Sequence, residues 1–505
     1  MKGDRRLLQR SSAVLWAALL PLGSHGSPLH LLGDLPGGRV QSSASAVTAD
    51  GAMVVGTTET LTTDGGDDTT RAAYWTAATG WVPLPFTDET YERTRARGVN
   101  DDGSVIVGEG DNFSFGRDEA AVWTRQPDGR YEVQLLTPEA DSKFGFFATV
   151  NMTANAVSGD GTLVTGHGQT NEAKEPFEAF YWTAETGIVP MGNLSGGPIP
   201  GAQFKPSYSS GRAVNLDGSR IAGMSWSGLR PGGSAAGEAF SYSVGTQTME
   251  GLGDLQTPVF SSTAEGISRD GLVIVGQART PQGEQVAYRW TASGGMIALG
   301  DLPRGEAVAT AEAANADGSV IVGAGRTKRG SEAFLWTEAT GMVRLQDVAG
   351  IDAAMLGSGW LETAVAISDD GLTVAGTYRS DGSITPERQA YLVQLRASDL
   401  APGPDLEAIA ARVDLQLKVS APGKLRIRFL REPAEAARYL LQQTDDPNTT
   451  FADVIEYVPD GSGGYERSVI NAAFAPDPGG STEEEAVEAV SMSGESTFWR
   501  VSVRK

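Results

Sequence analysis

Three acidic residues in one predicted loop are the first candidates for chemistry in this sequence. Asp64, Asp67 and Asp68 stand close together in the stretch TTETLTTDGGDDTTR. Carboxylates are the hard oxygen ligands that Ca²⁺ and Mg²⁺ prefer. The D-x-[DN]-x-[DN]-G pattern of a calcium loop is absent, and the same holds for a second acidic stretch at Glu109, Asp111 and Asp118. A solvated acidic loop is therefore the favoured interpretation, and Asp64, Asp67 and Asp68 are weak candidates for a metal site.

Residues for nucleophilic or metal chemistry are scarce. The chain has no Cys and three His, namely His25, His30 and His167. Thiol chemistry and disulfides are excluded, and Ser-His-Asp catalysis or a histidine metal cluster is poorly supported. No pair of carboxylates can be assigned to acid–base catalysis from the sequence. We therefore expect no cofactor and favour a protein without enzymatic activity.

Aromatic residues in the predicted loops are the better candidates for a binding site. Aromatic side chains can stack on sugar rings or anchor a protein partner. The alternative is that they fold inward and hold the loops on the scaffold. Trp226 is the strongest candidate because small and polar residues surround it. The candidates are Phe113, Phe115, Phe146, Phe147, Tyr208, Trp226 and Trp360.

A pattern that recurs seven times shows where these loops lie between the predicted strands. Each copy has a segment such as TAEAANADGSVIVG (310–323), then one such as EAFLWT (332–337), and most copies continue as in GMVRLQDV (341–348). An Asp-Gly pair preceded by Ser, Thr or Asn predicts a tight turn. A catalytic group is needed once, whereas a turn is needed in every copy, so we interpret the repeated Asp as structural. These residues are Asp50, Asp102, Asp160, Asp217, Asp270, Asp317 and Asp370.

Each copy reads as four antiparallel strands that cannot bury both faces alone. Stacking such units around an axis gives an all-β, seven-bladed β-propeller of four-stranded antiparallel blades. We predict the propeller over 27–396, with the unpaired N-terminal strand 29–35 completing blade seven, whose fourth strand is missing. The small A-x-A residues should lie innermost, and the Gly that ends V-I-V-G should allow close approach between blades.

The two faces of the ring differ in the length and uniformity of their connections. The Asp-Gly and Thr-Gly turns share one face, which is uniform. The long and variable connections, such as 57–71, 137–152, 224–237 and 349–362, share the other. Long irregular loops on a rigid scaffold are where binding usually occurs.

The N-terminus and the charge suggest a location. Residues 1–26 read as a secretory signal, with Lys2, Arg5, Arg6 and Arg10 before the apolar run AVLWAALLPLG, and cleavage is expected before Ser27. The formal net charge of −23 disfavours nucleic acid. An export signal without Cys indicates a bacterial protein that is secreted or held at the cell surface. After cleavage we expect a monomer that does not insert into a membrane.

The paired motifs also resemble a known repeat. S-x-DG-x-x-VVG followed by E-A-F-L-W-T and G-M-V-x-L-G-DL is similar to the HAF repeat of bacterial extracellular proteins, over roughly residues 29–396. The resemblance implies a secreted, propeller-like protein and no particular reaction. Where family members often carry His, this chain has Glu178, Glu238 and Glu332.

The chain after residue 396 has a different pattern. Residues 397–407 have the Pro, Gly and charge content of a linker. Seven short period-two runs in 408–505 predict a small β-sandwich, which resembles the fibronectin-like or immunoglobulin-like modules of secreted proteins. Such a module would anchor, sort or stabilise.

Three functions remain open. The first is a non-enzymatic binding or scaffold protein that presents its loop-rich face to a glycan or protein ligand. The second is a propeller-type polysaccharide hydrolase or lyase, which needs carboxylates near the axis. The third is a structural surface-layer component. Carboxylates together with Tyr or Arg at the channel mouth would favour the enzyme, and a lining of Ala, Ser and Gly would oppose it.

Overall fold

The fold is known from a computed structural model. It describes residues 28–36, 41–61, 68–86, 91–112, 117–138, 144, 151–170, 177–194, 208–227, 236–255, 261–303, 305–351, 353–381, 387–400 and seven strand segments between 416 and 504. The backbone forms seven four-stranded antiparallel sheets around an axis, which confirms the predicted seven-bladed propeller.

The first three blades follow the chain order, from the innermost to the outermost strand. Blade 1 contains β2 (Ser42–Val47), β3 (Met53–Leu61), β4 (Asp68–Thr76) and β5 (Gly80–Pro83). Blade 2 contains β6 (Tyr91–Val99), β7 (Val105–Asn112), β8 (Arg117–Arg125) and β9 (Tyr131–Leu135). Blade 3 contains β10 (Met152–Val157), β11 (Val164–Gly168), β12 (Glu178–Thr183) and β13 (Gly187–Gly192).

The next three blades repeat this arrangement. Blade 4 contains β14 (Ser209–Val214), β15 (Arg220–Ser227), β16 (Ala236–Ser243) and β17 (Thr248–Gly251). Blade 5 contains β18 (Ser262–Ile267), β19 (Val273–Arg279), β20 (Gln285–Thr291) and β21 (Gly295–Ala298). Blade 6 contains β22 (Ala309–Ala314), β23 (Val320–Thr327), β24 (Gly330–Thr337) and β25 (Gly341–Arg344). Two short helices follow, α1 (Leu345–Val348) and α2 (Ala353–Leu356).

Blade 7 is assembled from both ends of the repeat array. Its inner strands are β26 (Trp360–Ile367), β27 (Thr373–Arg379) and β28 (Arg388–Gln394), and its outer strand is β1 (Leu29–Leu31). Leu29 lies opposite Val393 and Leu31 opposite Tyr391. A short helix, α3 (Ala397–Leu400), follows β28.

The segment after β1 makes the same contacts as the outer strands of other blades. The Ser42 hydroxyl donates to the Gly33 carbonyl and accepts from the Ala390 amide at 3.0 Å. Ser262 connects Gly253 and Ala239 in the same way, at 2.8 and 3.0 Å. The N-terminal segment therefore occupies the place of a fourth strand, and the ring has no open edge at this point.

Each Asp-Gly pair forms a turn that its own side chains hold. In blade 4, Asp217 Oδ1 accepts from the Ser219 amide at 3.0 Å and from Asn215 Nδ2 at 3.0 Å. These hydrogen bonds lower the pKa of Asp217, and the corresponding bonds contribute to lowering the pKa of Asp102, Asp160 and Asp317. The structural interpretation of the repeated Asp explains all of these contacts.

Two sets of glycines allow close contacts of different kinds, one within a blade and one between blades. A Cβ on the Gly that ends V-I-V-G would lie 1.9 Å from a carbonyl of the innermost strand of the same blade, as Gly56 does with Ser43. The predicted close approach thus occurs within a blade rather than between blades. The Asp-Gly glycine makes the contact between blades: at Gly318, with φ +69°, a Cβ would lie 2.5 Å from Val273 of blade 5.

The core lies between neighbouring blades. The Ala and Phe of the E-A-F motif are buried on opposite sides of the blade: Ala239 of blade 4 packs against blade 5, and Phe240 packs against blade 3. The Glu of this motif is also buried: Glu178 accepts from the Gly192 amide at 2.9 Å, and Glu238 accepts from Gly253 at 3.2 Å. These carboxylates satisfy backbone amides of the outer strand.

The C-terminal part contains strands whose backbone alone is described. They form a three-stranded and a four-stranded antiparallel sheet. The strands are β29 (Gln416–Ala421), β30 (Lys424–Leu430), β31 (Arg438–Thr444), β32 (Ala452–Pro459), β33 (Tyr465–Val469), β34 (Glu484–Glu488) and β35 (Phe498–Arg504). Among the described residues, no helix is long and apolar enough to cross a membrane.

Candidate ligand-binding channel

The innermost strand of every blade carries a bulge at the same position. In β18, Ala264 pairs with Gly276 and Gly266 pairs with Val275, so that Glu265 has no partner across the sheet. A bulge of this kind redirects one side chain, and on an innermost strand that side chain faces the axis. The seven bulged residues are Ser45, Arg97, Asn155, Arg212, Glu265, Glu312 and Val365.

These seven residues, the axial ring, divide into two arcs. Blades 2 to 6 contribute Arg97, Asn155, Arg212, Glu265 and Glu312, which are all polar or charged. Blades 7 and 1 contribute Val365 and Ser45, which carry no charge. The charged residues of the axial ring therefore all lie within blades 2 to 6.

In blade 2 the axial arginine is neutralised by a buried carboxylate. The Arg97 guanidinium donates to Glu109 through two nitrogens, with Nη2 to Oε1 at 2.8 Å. Arg95 reaches the same Oε1 at 3.4 Å. Burial and the charges of Glu109 and Asp111 raise the pKa of the neighbouring Asp118 carboxyl. Glu109 is therefore part of an ion-pair network and not a solvated loop residue.

Blade 3 contributes a half-buried histidine beside the axial ring. His167 Nδ1 lies 3.3 Å from Asn155 Nδ2 and 3.2 Å from Ser210 Oγ. Burial, followed by the charges of Arg97 and Arg212, lowers the pKa of His167 to about 4. The imidazole is thus neutral at pH 7 and offers hydrogen bonds rather than charge.

Blades 4, 5 and 6 bring one guanidinium and two carboxylates together. Arg212 Nη1 donates to Glu265 Oε2 at 2.5 Å. A Cβ on Gly266 would lie 2.6 Å from the backbone oxygen of Glu312, which shows that the two segments touch. Burial, and then repulsion from Glu265, raises the pKa of Glu312 to about 7. This site can therefore hold or release a proton near neutral pH.

The opposite mouth of the channel is closed. Arg269 of blade 5 reaches Asp101 of blade 2 and Asp369 of blade 7, with 3.1 Å from Nη1 to Asp369 Oδ1. A circle of backbone hydrogen bonds joins each blade to the next at the same level. In each pair the backbone N–H of the first residue donates to the backbone carbonyl of the second: 49 to 101, 101 to 159, 160 to 216, 216 to 269, 270 to 316, 316 to 369 and 369 to 49.

A row of aromatic rings extends from His167 across blades 3 and 4. The His167 and Phe177 centroids are 5.5 Å apart, Phe177 and Tyr208 are 6.1 Å apart, and Tyr208 and Trp226 are 5.9 Å apart. The three aromatic residues after His167 are each half-buried. We call these four residues the aromatic row.

Two of the predicted binding residues, Tyr208 and Trp226, belong to this row. Trp226 was expected in a loop, but it lies in β15, because the strand continues to Ser227. Trp360 was also expected in a loop and begins β26, where it is buried. Its indole donates to the Ser331 carbonyl at 2.8 Å and has the guanidinium groups of Arg329 and Arg379 5.4 and 5.5 Å from the ring.

The side chains of the other predicted residues are not among those that the structure describes. Phe113, Phe115, Phe146, Phe147, Asp64 and Asp67 lie outside the described residues. Asp68 begins β4, and only its backbone is described. Over the described ranges, no group of three or more His, Cys, Asp and Glu side chains could hold a metal ion.

The axial ring was missed in the sequence, although the repeat contained a signal for it. The middle residue of A-x-A varies from Ser to Arg, Asn, Glu and Val, while the residues on either side of it stay Ala or Gly. Variation inside an otherwise uniform motif marks a residue that is not needed for blade packing. The small residues of A-x-A were expected to lie innermost, but nothing in the pattern showed that the middle residues face the axis or which of them meet across blades.

Comparison with solved structures found other propellers. The β-propeller domain of the Trilobed protease from Pyrococcus furiosus is 10% identical, with a TM-score of 0.45 and coverage of 70% of this chain and 92% of that one. Oligogalacturonate lyase from Vibrio parahaemolyticus is 12% identical, with a TM-score of 0.47 and coverage of 73% and 94%. TolB from Acinetobacter baumannii is 13% identical, with a TM-score of 0.35 and coverage of 69% and 82%. No protein-family model and no curated protein matches the sequence.

Proposed function

We propose that this protein is a secreted, HAF-repeat-type binding protein that takes the end of a glycan into its channel from the loop-rich face. The observation that carries the proposal is the contact between two kinds of surface. The aromatic row ends at His167, which hydrogen-bonds to Asn155 of the axial ring. Aromatic faces for stacking beside fixed polar groups are the combination that sugars require.

The polar groups here are positioned before a ligand arrives. His167, Asn155 and Ser210 hold one another, and Asn155 Nδ2 also donates to the Gly211 carbonyl at 2.7 Å. Arg212 is fixed by Glu265, and its Nε is buried without a hydrogen-bond partner among the described residues. Polar groups that are held in place before binding lose little conformational freedom when a ligand arrives, which favours a ligand with many hydroxyl groups.

A glycan-binding panel combined with one substitution tests this function. Trp226→Ala removes the ring at the outer end of the aromatic row, and affinity for the bound glycan should fall about tenfold, equivalent to about 1.4 kcal/mol. Leu272→Ala is the control, since Leu272 is exposed beside the Asp-Gly turn of blade 5. Unchanged affinity for Trp226→Ala, or no binding by the unaltered protein across a broad panel, would contradict the proposal.

The second candidate is a polysaccharide hydrolase or lyase. It is favoured by Glu312, because a carboxyl with a pKa of about 7 beside a second carboxylate is suited to proton transfer. Incubation of the bound glycan with the protein, followed by chromatography of the products, distinguishes the two functions. Cleavage that Glu312→Gln abolishes would establish the enzyme, whereas an intact glycan would leave the binding protein.

A further inference from the structure

Three consecutive blades bring hydrogen-bond donors together beside the axis. Arg97 of blade 2 and Arg212 of blade 4 occupy the bulges of β6 and β14. Between them, His167 lies beside Asn155, the bulged residue of β10. Burial lowers the pKa of His167, and the charges of Arg97 and Arg212 add to this effect, so both guanidinium groups lie near the imidazole. Two guanidinium groups and one imidazole therefore share one side of the channel.

The carboxylates that hold the two arginines are the less accessible members of their ion pairs. The side chains of Arg97 and Arg212 are 42% and 35% exposed. Their partners are exposed far less, at 2% for Glu109 and 13% for Glu265. Glu109 belongs to β7, the second strand of its blade, so it approaches Arg97 from the side away from the axis. The arginines, more than their partners, are thus the charges that a ligand in the channel meets.

Each arginine keeps free donors after its ion pair has formed. Glu109 accepts from Nε and Nη2 of Arg97 and leaves Nη1 without a hydrogen-bond partner in the described ranges. Glu265 accepts from Nη1 of Arg212 and likewise leaves Nη2 without a partner among the described residues. A guanidinium is a planar set of N–H groups whose geometry suits the oxygens of an oxyanion. Both side chains can therefore donate to an anionic group of a ligand.

The imidazole of His167 adds a third donor. Asn155 Nδ2 donates to the Gly211 carbonyl at 2.7 Å, which fixes the amide so that its nitrogen also faces His167 Nδ1. Nδ1 therefore accepts a hydrogen bond, and the proton of the neutral ring lies on Nε2. In the part of the chain that the structure describes, Nε2 has no partner. It can donate to the same ligand as the two arginines.

We propose that Arg97, His167 and Arg212 form a subsite for the anionic group of an acidic glycan, so that the ligand class is an oligosaccharide with carboxylate or sulfate groups. This inference rests on the proposed function, because the aromatic row supplies the stacking surface for the sugar rings. The formal net charge of −23 repels an acidic glycan from most of the protein surface. Binding of such a ligand therefore requires a local group of donors like this one.

Matched oligosaccharides with and without the anionic group test the subsite. One pair is a glucuronate oligomer and the neutral oligomer of equal length made by reducing its carboxyl groups. The other pair is a sulfated galactan oligomer and its desulfated form. In calorimetric titration of the full chain, the anionic member of one pair should bind about tenfold more tightly than its neutral counterpart, and added salt should reduce this ratio. The pair that shows the difference identifies the group as carboxylate or sulfate.

Substitutions at one ion pair test the assignment of the donors. Arg212→Gln combined with Glu265→Gln removes the pair without changing the net charge, and the affinity ratio should fall about threefold or more. Glu265→Gln alone frees Arg212 from its partner and should strengthen binding of the anionic member. Arg130→Gln is the control and should retain the ratio, because Arg130 is an exposed arginine on the turn between β8 and β9, at the uniform face.

The outcomes separate the two proposals. Equal affinity within both pairs, tighter binding of the neutral members, or a ratio that the double substitution leaves unchanged would overturn the anionic subsite and leave the glycan-binding function intact. Failure of every glycan in the panel and of all the oligomers would overturn both proposals. Circular dichroism and thermal unfolding show whether the variants are folded. If the double variant does not fold, Glu265→Gln decides, since unchanged or weaker binding of the anionic member would overturn the subsite.

Discussion

The two mouths of the channel are built from the same seven innermost strands, but one mouth is the same in every blade and the other varies from blade to blade. At the Asp-Gly mouth every blade has the same turn, and seven backbone hydrogen bonds and Arg269 close the opening. Toward the other mouth the axial ring changes from Arg97 to Val365 around the circle. The uniform end holds the blades together, and the varied end is free to differ because packing does not depend on it.

This difference separates stability from specificity within one repeat. The Asp-Gly glycines have positive φ and contact the preceding blade, so a larger residue at these positions would be strained. The bulged residues point away from the sheet interface, so side chains as different as Ser45 and Arg212 are accommodated. Substitutions at the first set should change stability, and substitutions at the second should change binding.

Opening the ring should have the largest effect on both mouths. Replacing residues 29–35 with a Gly-Ser sequence of equal length removes β1 and the buried side chains of Leu29, Leu32 and Leu35. At about 2 kcal/mol for each leucine, stability should fall by about 6 kcal/mol. The control is the same replacement of residues 62–67 between β3 and β4. Thermal unfolding measures both, and equal midpoints would show that the N-terminal strand does not close the ring.

A smaller loss is expected when one Asp-Gly turn is altered. Gly318→Ala places a Cβ 2.5 Å from Val273 of the preceding blade, at a φ of +69°. Gly341→Ala, in the same blade, has a φ of +64° and no atom within 4 Å. Both substitutions incur about 1 kcal/mol of left-handed backbone strain, and only the first adds about 1–3 kcal/mol of overpacking. Denaturant unfolding should separate them, and equal losses would show that the contact between blades carries no weight.

The fold could be predicted from the sequence because each blade repeats the same short sequence pattern. The seven Asp-Gly turns and the E-A-F strands predict the blades, and the structure confirms seven of them. The lengths of the strands were not accessible: β3 continues to Leu61 and β15 to Ser227, because polar residues can extend an inner strand that the sheet already holds. The axial ring could not be predicted for another reason. Arg212 and Glu265 are far apart in the sequence, and they meet only because their blades stack side by side around the axis.

The Arg269 contact at the closed mouth should contribute a still smaller amount. Arg269→Ala leaves Asp101 and Asp369 facing each other, and half-exposed pairs of this kind are worth about 1 kcal/mol. The loss should shrink as salt is added, because the ions screen the remaining repulsion. Arg130→Ala, whose partner Asp128 is highly exposed, should show no measurable change. Urea unfolding at low and high salt tests this, and a salt-independent loss would assign Arg269 a packing role instead.

The smallest expected effect is that groups at the two mouths change the stability of the protein in different pH ranges. Asp102, Asp217 and Asp317 at the Asp-Gly turns have lowered pKa values, so their contribution is complete above the unfolded pKa of about 3.9 and disappears as pH falls through the folded values. Glu312 has a raised pKa of about 7, so its ionisation opposes folding as pH rises from about 4.3 to about 7. Glu312→Gln should therefore be more stable than the unaltered protein at about pH 8 and similar at about pH 4. Thermal midpoints across this range measure the difference, and two parallel curves would mean that Glu312 is solvated like a surface residue and that the open mouth does not hold it away from water.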